Sequence, residues 1–171
     1  MNVVAYDVAP DTTIVAALGF SYESFDRVLE LSDILSVHVP GNASTHHMIS
    51  ADAFSRMKDG SVLINTARGS VVDVAALVEA LTSGKLKAAG LDVLPGEPAI
   101  KEEAELLRVI RRQKQDIKTL LMDHVLLRME NVFITPHSAF NTREAVLRIL
   151  ATTTQNITAF ARGGPQNSVT A

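Results

Sequence analysis

The chain has 171 residues, of which 47% are hydrophobic and 20% charged, and its formal net charge is −3. This is enough chain for one domain with a hydrophobic core, and the charge gives no electrostatic footprint for nucleic acid. The lack of cysteine excludes disulfides and thiolate sites, and without an apolar run of bilayer length or a signal-peptide pattern we expect a cytoplasmic protein with no membrane partner.

The first predicted element is a buried strand over residues 2–6, which ends at Asp7 and a turn around Pro10. An acidic residue at the tip of such a strand accepts hydrogen bonds from the ribose hydroxyls of NAD in dinucleotide-binding units. From the residues alone, the role of a turn cap is favoured for Asp7 over that of a ribose contact. Residues 11–18 then predict a short helix that stops at Gly19.

The next pair of elements is a helix over residues 24–31, capped by its serine, and a strand over residues 34–39 that ends before Pro40. His38 lies inside this predicted strand, where a histidine is more often a hydrogen-bonded core residue than a ligand. The histidines at positions 46 and 47 have no partners at ligand spacing, so no zinc site is predicted.

A capped helix over residues 50–57 leads to the segment VLINTARG, whose residues 62–65 predict the end of a buried strand. Residues 66–69 form a tight loop that carries Arg68. In an open α/β sheet, ligands bind in the crevice outside the carboxyl ends of the strands. A guanidinium there can hold a carboxylate with two hydrogen bonds, although a surface arginine beside a turn glycine explains the pattern equally well.

The following helix over residues 73–81 begins at Asp73, and the next predicted strand covers residues 87–94. Two prolines then enclose Glu97 in a stiff loop, which suits a carboxylate that must point in one direction. An ordinary solvated turn acid is the alternative. Residues 101–128 predict one or two amphipathic helices with a solvated, charged face.

The last predicted strand covers residues 131–135, and His137 stands directly after it. A neutral imidazole at a strand end is a natural group to exchange a proton with an alcohol or carbonyl. Residues 142–160 predict a long helix that stops at the glycine pair 163–164. We expect its inward face to contain Ala145, Val146, Ile149, Leu150 and Ile157.

Alternating strands and helices predict a doubly wound parallel α/β sheet. Because Arg68, Glu97 and His137 each follow the carboxyl end of a predicted strand, we expect all three to face one crevice. A cation, a carboxylate and an imidazole in that crevice suit chemistry on a 2-hydroxy or 2-keto acid. The hydride would come from a bound nicotinamide, since no side chain carries one.

Three segments identify the family that the chain resembles: NTARG at residues 65–69, GLDVLPGEP at residues 90–98 and TPHSAFNTREA at residues 135–145. They resemble the D-isomer-specific 2-hydroxyacid dehydrogenases, and AFNTREAV looks closest to the D-lactate dehydrogenase branch. The resemblance implies a Rossmann-like fold, NAD as cofactor and a homodimer. It also implies that Arg68 binds the substrate carboxylate, His137 acts as acid and base, and Glu97 orients the imidazole. The cofactor contacts that it implies are Asp7, Val39, Pro40, Thr66, Ala67, Asp92 and Ser138.

The resemblance also predicts how the chain is organised. The family's glycine-rich phosphate loop and first strand should precede Asn2, so we expect an incomplete Rossmann-like domain over residues 1–162. Within it, residues 101–130 form a helical insertion, and residues 163–171 lead towards a substrate domain. In the strand order 3-2-1-4-5-6, the missing first strand would separate residues 3–6 from residues 34–39 or 62–65.

Two functions follow from these expectations. The first is the cofactor-binding portion of an NAD-dependent D-2-hydroxyacid dehydrogenase, weak or inactive as an isolated chain. The second is a non-catalytic NAD-sensing or assembly module derived from the same fold. The joint presence of Arg68, Glu97 and His137 favours the enzyme, because a binding module is free to lose any of them.

We expect micromolar NAD to raise the melting temperature of the chain only slightly, because the expected phosphate loop is not part of the sequence. Differential scanning fluorimetry with and without NAD measures this shift. A rise of several degrees would contradict the expectation and would mean that other backbone amides bind the pyrophosphate.

Overall fold

The computed structural model describes residues 1–95 and 121–168, in which strands and helices alternate along the chain. Residues 121–126 are also helical. The elements, in chain order, are β1 (Val4–Ala5), α1 (Val15–Leu18), β2 (Ser21–Tyr22), α2 (Phe25–Leu31), β3 (Ile34–Val37), α3 (Ala51–Arg56), β4 (Ser61–Asn65), a 3₁₀ turn (Gly69–Val71), α4 (Val74–Thr82), β5 (Leu86–Leu91), β6 (Val132–Ile134) and α5 (Arg143–Ala161).

All strand pairs in these elements are parallel. β1 pairs with β2, and a second sheet has the order β3-β4-β5-β6. The predicted parallel α/β fold is therefore confirmed. The strand β2 was not predicted, because a two-residue strand is too short to show an alternating pattern. Within the described ranges no ladder joins β1 to β3 or to β4, and the separation of these strands by a missing strand stays a prediction.

The chain divides into two compact units, Met1–Pro136 and His137–Ala171. The first contains both sheets and α1 to α4, and the second contains α5. The predicted domain over residues 1–162 and the tail over residues 163–171 stay predictions. Most of the predicted insertion at residues 101–130 lies outside the described residues. Nowhere in the described ranges is there a helix with the length and apolar character needed to span a membrane.

The starts of α2, α3 and α4 are held by the side chains that the sequence indicates, whereas α1 has no side-chain cap. The Ser24 hydroxyl accepts a hydrogen bond from the Arg27 amide, and the Ser50 hydroxyl accepts one from Ala53. The Asp73 carboxylate accepts bonds from the first amides of α4. These side chains satisfy N–H groups that have no partner within the helix, which fixes where these three helices begin.

The core of the first unit lies on one face of the four-stranded sheet. Residues at alternate strand positions, such as Leu35, Leu63 and Ala89, are buried in one cluster with residues of α2, α3 and α4. On the other face Ile34 is 61% and Phe133 is 74% exposed. The hydrophobic effect that stabilises this unit therefore acts mainly through one side of the sheet.

The prediction that one face of the last helix, α5, is buried is wrong. No residue of α5 is buried, and Ile149, Leu150 and Ile157 are each more than half exposed. Ala145 and Val146 are half-buried. An amphipathic pattern indicates a surface that favours burial, but it does not supply a partner, and α5 is the only helix described in its own compact unit.

Substitution of Leu63 by alanine should lower the free energy of unfolding by about 2–5 kcal/mol, because this fully buried side chain lies in the middle of β4. The control is Phe133→Ala on the exposed face, which should cost less than about 1 kcal/mol. Urea unfolding followed by circular dichroism measures both values. Equal losses for the two variants would contradict a core confined to one face.

Candidate active site

A cavity of about 400 Å³ opens at the carboxyl ends of β3 and β4. This is the edge at which open α/β sheets bind ligands. Its lining brings together Arg68 and four of the predicted cofactor contacts. The lining residues are His38, Val39, Pro40, Gly41, Thr66, Ala67 and Arg68. A cavity of about 420 Å³ in the second unit, beside α5, contains none of the predicted site residues.

Arg68 lies on the loop between β4 and α4, with its side chain exposed and its backbone extended at φ −144° and ψ 143°. Its Nη1 donates a hydrogen bond to the carbonyl oxygen of Ala67 at 2.7 Å. The stem of the side chain packs closely on Gly41, since a Cβ at that glycine would lie 2.8 Å from the Arg68 Cγ. The guanidinium group is therefore held near the cavity wall by its own loop and by the loop after β3.

His38 corrects one sequence-based expectation. The residue is hydrogen-bonded as expected, with its Nε2 2.8 Å from the Ser36 hydroxyl, but it is exposed at the cavity and not in the core. β3 ends at Val37, so His38 belongs to the segment that leaves the strand. Its position just before Val39 and Pro40 was the available signal that it follows a strand end.

Asp92 lies directly after β5 and is only 5% exposed. Its backbone N–H donates to the carbonyl oxygen of Asn65 at 2.9 Å, and the Thr135 hydroxyl donates to its carboxylate Oδ1. These bonds connect the ends of β4, β5 and β6. The carboxylate of this predicted cofactor contact is therefore fixed in position by the strand ends around it.

Gly69 allows the Arg68 loop to touch the loop that follows β5. A Cβ at this position would lie 2.3 Å from the carbonyl carbon of Leu94 and from the nitrogen of Pro95, much closer than real carbon contacts. Only glycine leaves room for this approach. The second loop leads towards Glu97, which itself lies outside the described residues, so its predicted role stays a prediction.

Asp7 follows the end of β1 and is exposed. Its Oδ1 accepts a hydrogen bond from the Ala9 backbone N–H at 2.8 Å, so the turn-cap interpretation is confirmed. The predicted interaction of Asp7 with a ribose stays a prediction.

His137 is the first residue of the second unit, and Ser138 follows it; both are half-buried. The His137 backbone has a positive φ of 54°, which is uncommon for a residue other than glycine. Its ring meets Phe140 edge to face, with the centroids 6.5 Å apart. Because Arg68 and His137 belong to different units, the convergence of Arg68, Glu97 and His137 stays a prediction.

Hydrogen bonds and neighbouring charges shift the pKa of exposed side chains outside the cavity lining. The Thr13 hydroxyl and amide hydrogen bonds lower the pKa of the Asp11 carboxyl. Hydrogen bonding to Asp52 and the charge of Asp26 raise the pKa of Arg56. Among residues 1–95 and 121–168, no three His, Asp or Glu side chains lie close enough together to hold a metal ion.

Comparison with known protein families gives one clear match. Residues 1–139 match the family model described as D-isomer specific 2-hydroxyacid dehydrogenase, NAD binding domain. The chain is 38% identical to D-lactate dehydrogenase of Leuconostoc mesenteroides subsp. cremoris, over 95% of this chain and 46% of that protein. It is 39% identical to hydroxypyruvate reductase of Thermotoga maritima, over 87% of this chain and 42% of that protein. It thus spans about half the length of these curated relatives.

Solved structures show the same likeness. The crystal structure of D-lactate dehydrogenase from Aquifex aeolicus, complexed with NAD and lactic acid, matches with a TM-score of 0.80 and 39% identity, over 96% of this chain and 47% of that one. The crystal structure of D-lactate dehydrogenase with NAD⁺ from Lactobacillus jensenii matches with a TM-score of 0.79 and 35% identity, over 99% of this chain and 48% of that one.

Substitution of Gly69 by alanine should lower the melting temperature by several degrees. Forcing a methyl group into a packed contact costs about 1–3 kcal/mol, and each kcal/mol corresponds to about 2–4 °C in a chain of this size. Gly164→Ala is the control, because a Cβ there meets no atom within 4 Å. Thermal unfolding followed by circular dichroism compares them, and an unchanged Gly69→Ala variant would contradict the close approach of the two loops.

Proposed function

The chain belongs to the D-isomer-specific 2-hydroxyacid dehydrogenase family, and we propose that it forms the cofactor-binding part of an NAD-dependent enzyme that interconverts a D-2-hydroxy acid and its 2-keto acid. The observation that carries the proposal is the cavity at the ends of β3 and β4. It brings Val39 and Pro40, which follow β3, together with Thr66, Ala67 and Arg68, which follow β4.

The residues around this cavity fit a dinucleotide. Val39, Pro40 and Ala67 offer apolar surface to a flat ring, and Thr66 adds a hydroxyl. Outside the cavity lining, the exposed Asp7 carboxylate two residues after β1 suits ribose hydroxyls and disfavours an additional phosphate. When bound, the nicotinamide supplies or accepts the hydride.

Arg68 is the proposed substrate anchor. A guanidinium has five N–H donors in a planar arrangement, and the bond to the Ala67 carbonyl uses one of them. Others can bind the carboxylate of a 2-keto acid in a bidentate manner. The same positive charge polarises the adjacent carbonyl and so favours attack at its carbon.

His137 is the proposed acid and base. In the reductive direction it donates a proton to the carbonyl oxygen as hydride reaches the carbon, and in the oxidative direction it removes the hydroxyl proton. Glu97 would orient the imidazole and stabilise its charged form. The support for these roles is that both residues match the family motifs around GLDVLPGEP and TPHSAF.

The substrate and the assembly belong to the same proposal. Relatives named D-lactate dehydrogenase, hydroxypyruvate reductase and glyoxylate reductase support a short 2-keto acid such as pyruvate, hydroxypyruvate or glyoxylate. We propose a homodimer in the cytoplasm as the working state. Since the chain spans about half of these relatives, we expect weak or no turnover from the chain alone.

NMR titration of the full chain tests cofactor binding. Millimolar NAD should shift backbone amide signals of residues 39, 66, 67, 68 and 92, because these residues line the cavity or the strand ends beside it. NADP is the control, since its extra phosphate meets the carboxylate at Asp7 and should bind more weakly. Shifts confined to the second unit, or no shifts at all, would contradict the proposed site.

The same sample then tests the substrate anchor. Pyruvate added in the presence of NADH should shift the Arg68 Nε–H signal, and the variant Arg68→Gln should show no pyruvate response. NAD binding without any Arg68-dependent pyruvate response would instead favour the non-catalytic, NAD-sensing alternative.

A further inference from the structure

Asn65 is a fully buried polar side chain at the edge of the candidate site. It is the last residue of β4, and it is 1% exposed. A buried carboxamide is costly unless its donor and acceptor atoms are both hydrogen-bonded. The partners of Asn65 therefore indicate why a polar residue occupies a core position next to the cavity.

Both ends of the carboxamide bind the loop that carries Arg68. The Oδ1 atom accepts a hydrogen bond from the Ala67 backbone N–H at 3.0 Å, and the Nδ2 atom donates one to the Arg68 carbonyl oxygen at 3.1 Å. The side chain thus holds backbone groups of two successive residues of this loop. Its own backbone carbonyl accepts the Asp92 N–H, which connects the turn to the end of β5.

These two bonds require an amide at this position. A carboxylate keeps an acceptor for the Ala67 N–H but places a second acceptor against the Arg68 carbonyl oxygen. An aliphatic side chain removes both partners: the N–H of the buried residue Ala67 then loses its acceptor, and the Arg68 carbonyl oxygen keeps only the Val71 N–H. Asn65 is therefore specific to the shape of this loop.

The loop in turn sets the position of the Arg68 guanidinium. The Ala67 N–H is held by Asn65, while the Ala67 carbonyl oxygen accepts the hydrogen bond from the Arg68 Nη1. The aliphatic stem of Arg68 packs against Gly41, and both residues line the cavity. A change in the orientation of the Ala67 peptide would move the carbonyl that holds the guanidinium.

We propose that Asn65 is a positioning residue, whose buried carboxamide sets the Arg68 loop so that the guanidinium is pre-organised to receive a substrate carboxylate. This inference rests on the proposed function of Arg68 as the anchor. Pre-organisation matters because a guanidinium already held in place loses less conformational entropy when it binds.

The variants Asn65→Asp and Asn65→Ala test the proposal in the full chain. Ser61→Ala is the matched control, because Ser61 is a buried polar residue at the other end of β4 and its hydroxyl has no hydrogen-bond partner among the described residues. The measurements are the amide exchange rate of Ala67, the position of the Arg68 Nε–H signal, and the pyruvate affinity in the presence of NADH.

We expect Asn65→Asp to move the Arg68 Nε–H signal and to weaken pyruvate binding about tenfold, the factor that corresponds to the loss of one hydrogen bond. Asn65→Ala should in addition expose the Ala67 amide to fast exchange. Ser61→Ala should leave all three measurements unchanged, which separates positioning of the loop from the stability of the strand.

An unchanged Arg68 signal and pyruvate affinity in Asn65→Asp would overturn the inference. If both Asn65 variants unfold, the wild-type chain still tests the inference. Fast exchange of the Ala67 amide and of the Asn65 side-chain amide protons would show that the hydrogen bonds from Asn65 to Ala67 and Arg68 are not formed. A wild-type chain with no Arg68-dependent pyruvate response would contradict the proposed function. In that case the Ala67 and Arg68 signals still test whether Asn65 holds the loop.

Discussion

The hydrogen bonds that join the carboxyl ends of β4, β5 and β6 are the constraint on which the candidate site depends. The Asp92 amide donates to the Asn65 carbonyl, and the Thr135 amide donates to the Leu91 carbonyl. The Thr135 hydroxyl also donates a hydrogen bond to the Asp92 carboxylate. Parallel strands all end at one edge of the sheet, so bonds between their last residues hold the departing loops side by side.

Close packing then fixes the loops at this edge. Gly69 lets the Arg68 loop touch the backbone at Leu94 and Pro95, and Gly41 lets the Arg68 stem lie against the segment after β3. Both contacts require the absence of a Cβ atom. At the buried Gly69, the close packing of the interior resists displacement of the two loops.

Family membership and chemistry have different support in this protein. The family follows from a match over residues 1–139 and from solved relatives with TM-scores near 0.8. The chemistry depends on whether Arg68, Glu97 and His137 face one another. Arg68 lines a cavity with predicted cofactor contacts, whereas His137 lies in the second compact unit. Because the chain spans about half of its relatives, the activity of the whole protein stays a proposal.

The sequence alone determined the order and type of most elements. Capping side chains such as Ser24 and Asp73 and apolar periodicity are local properties, so α2, α4 and β4 could be predicted from neighbouring residues. The motif NTARG likewise placed Arg68 after a strand. These features depend on interactions within a few residues of the chain.

Only the tertiary structure decided which side chains are buried and what they contact. The apolar pattern of α5 did not predict that Ile149 and Leu150 are exposed, since burial needs a partner surface. His38 was expected in the core, but β3 ends at Val37, and His38 therefore lies at the cavity. The hydrogen bonds of the Asn65 side chain are local, but its burial depends on the neighbouring strands β3 and β5, which are distant in sequence and which a pattern of single residues does not reveal.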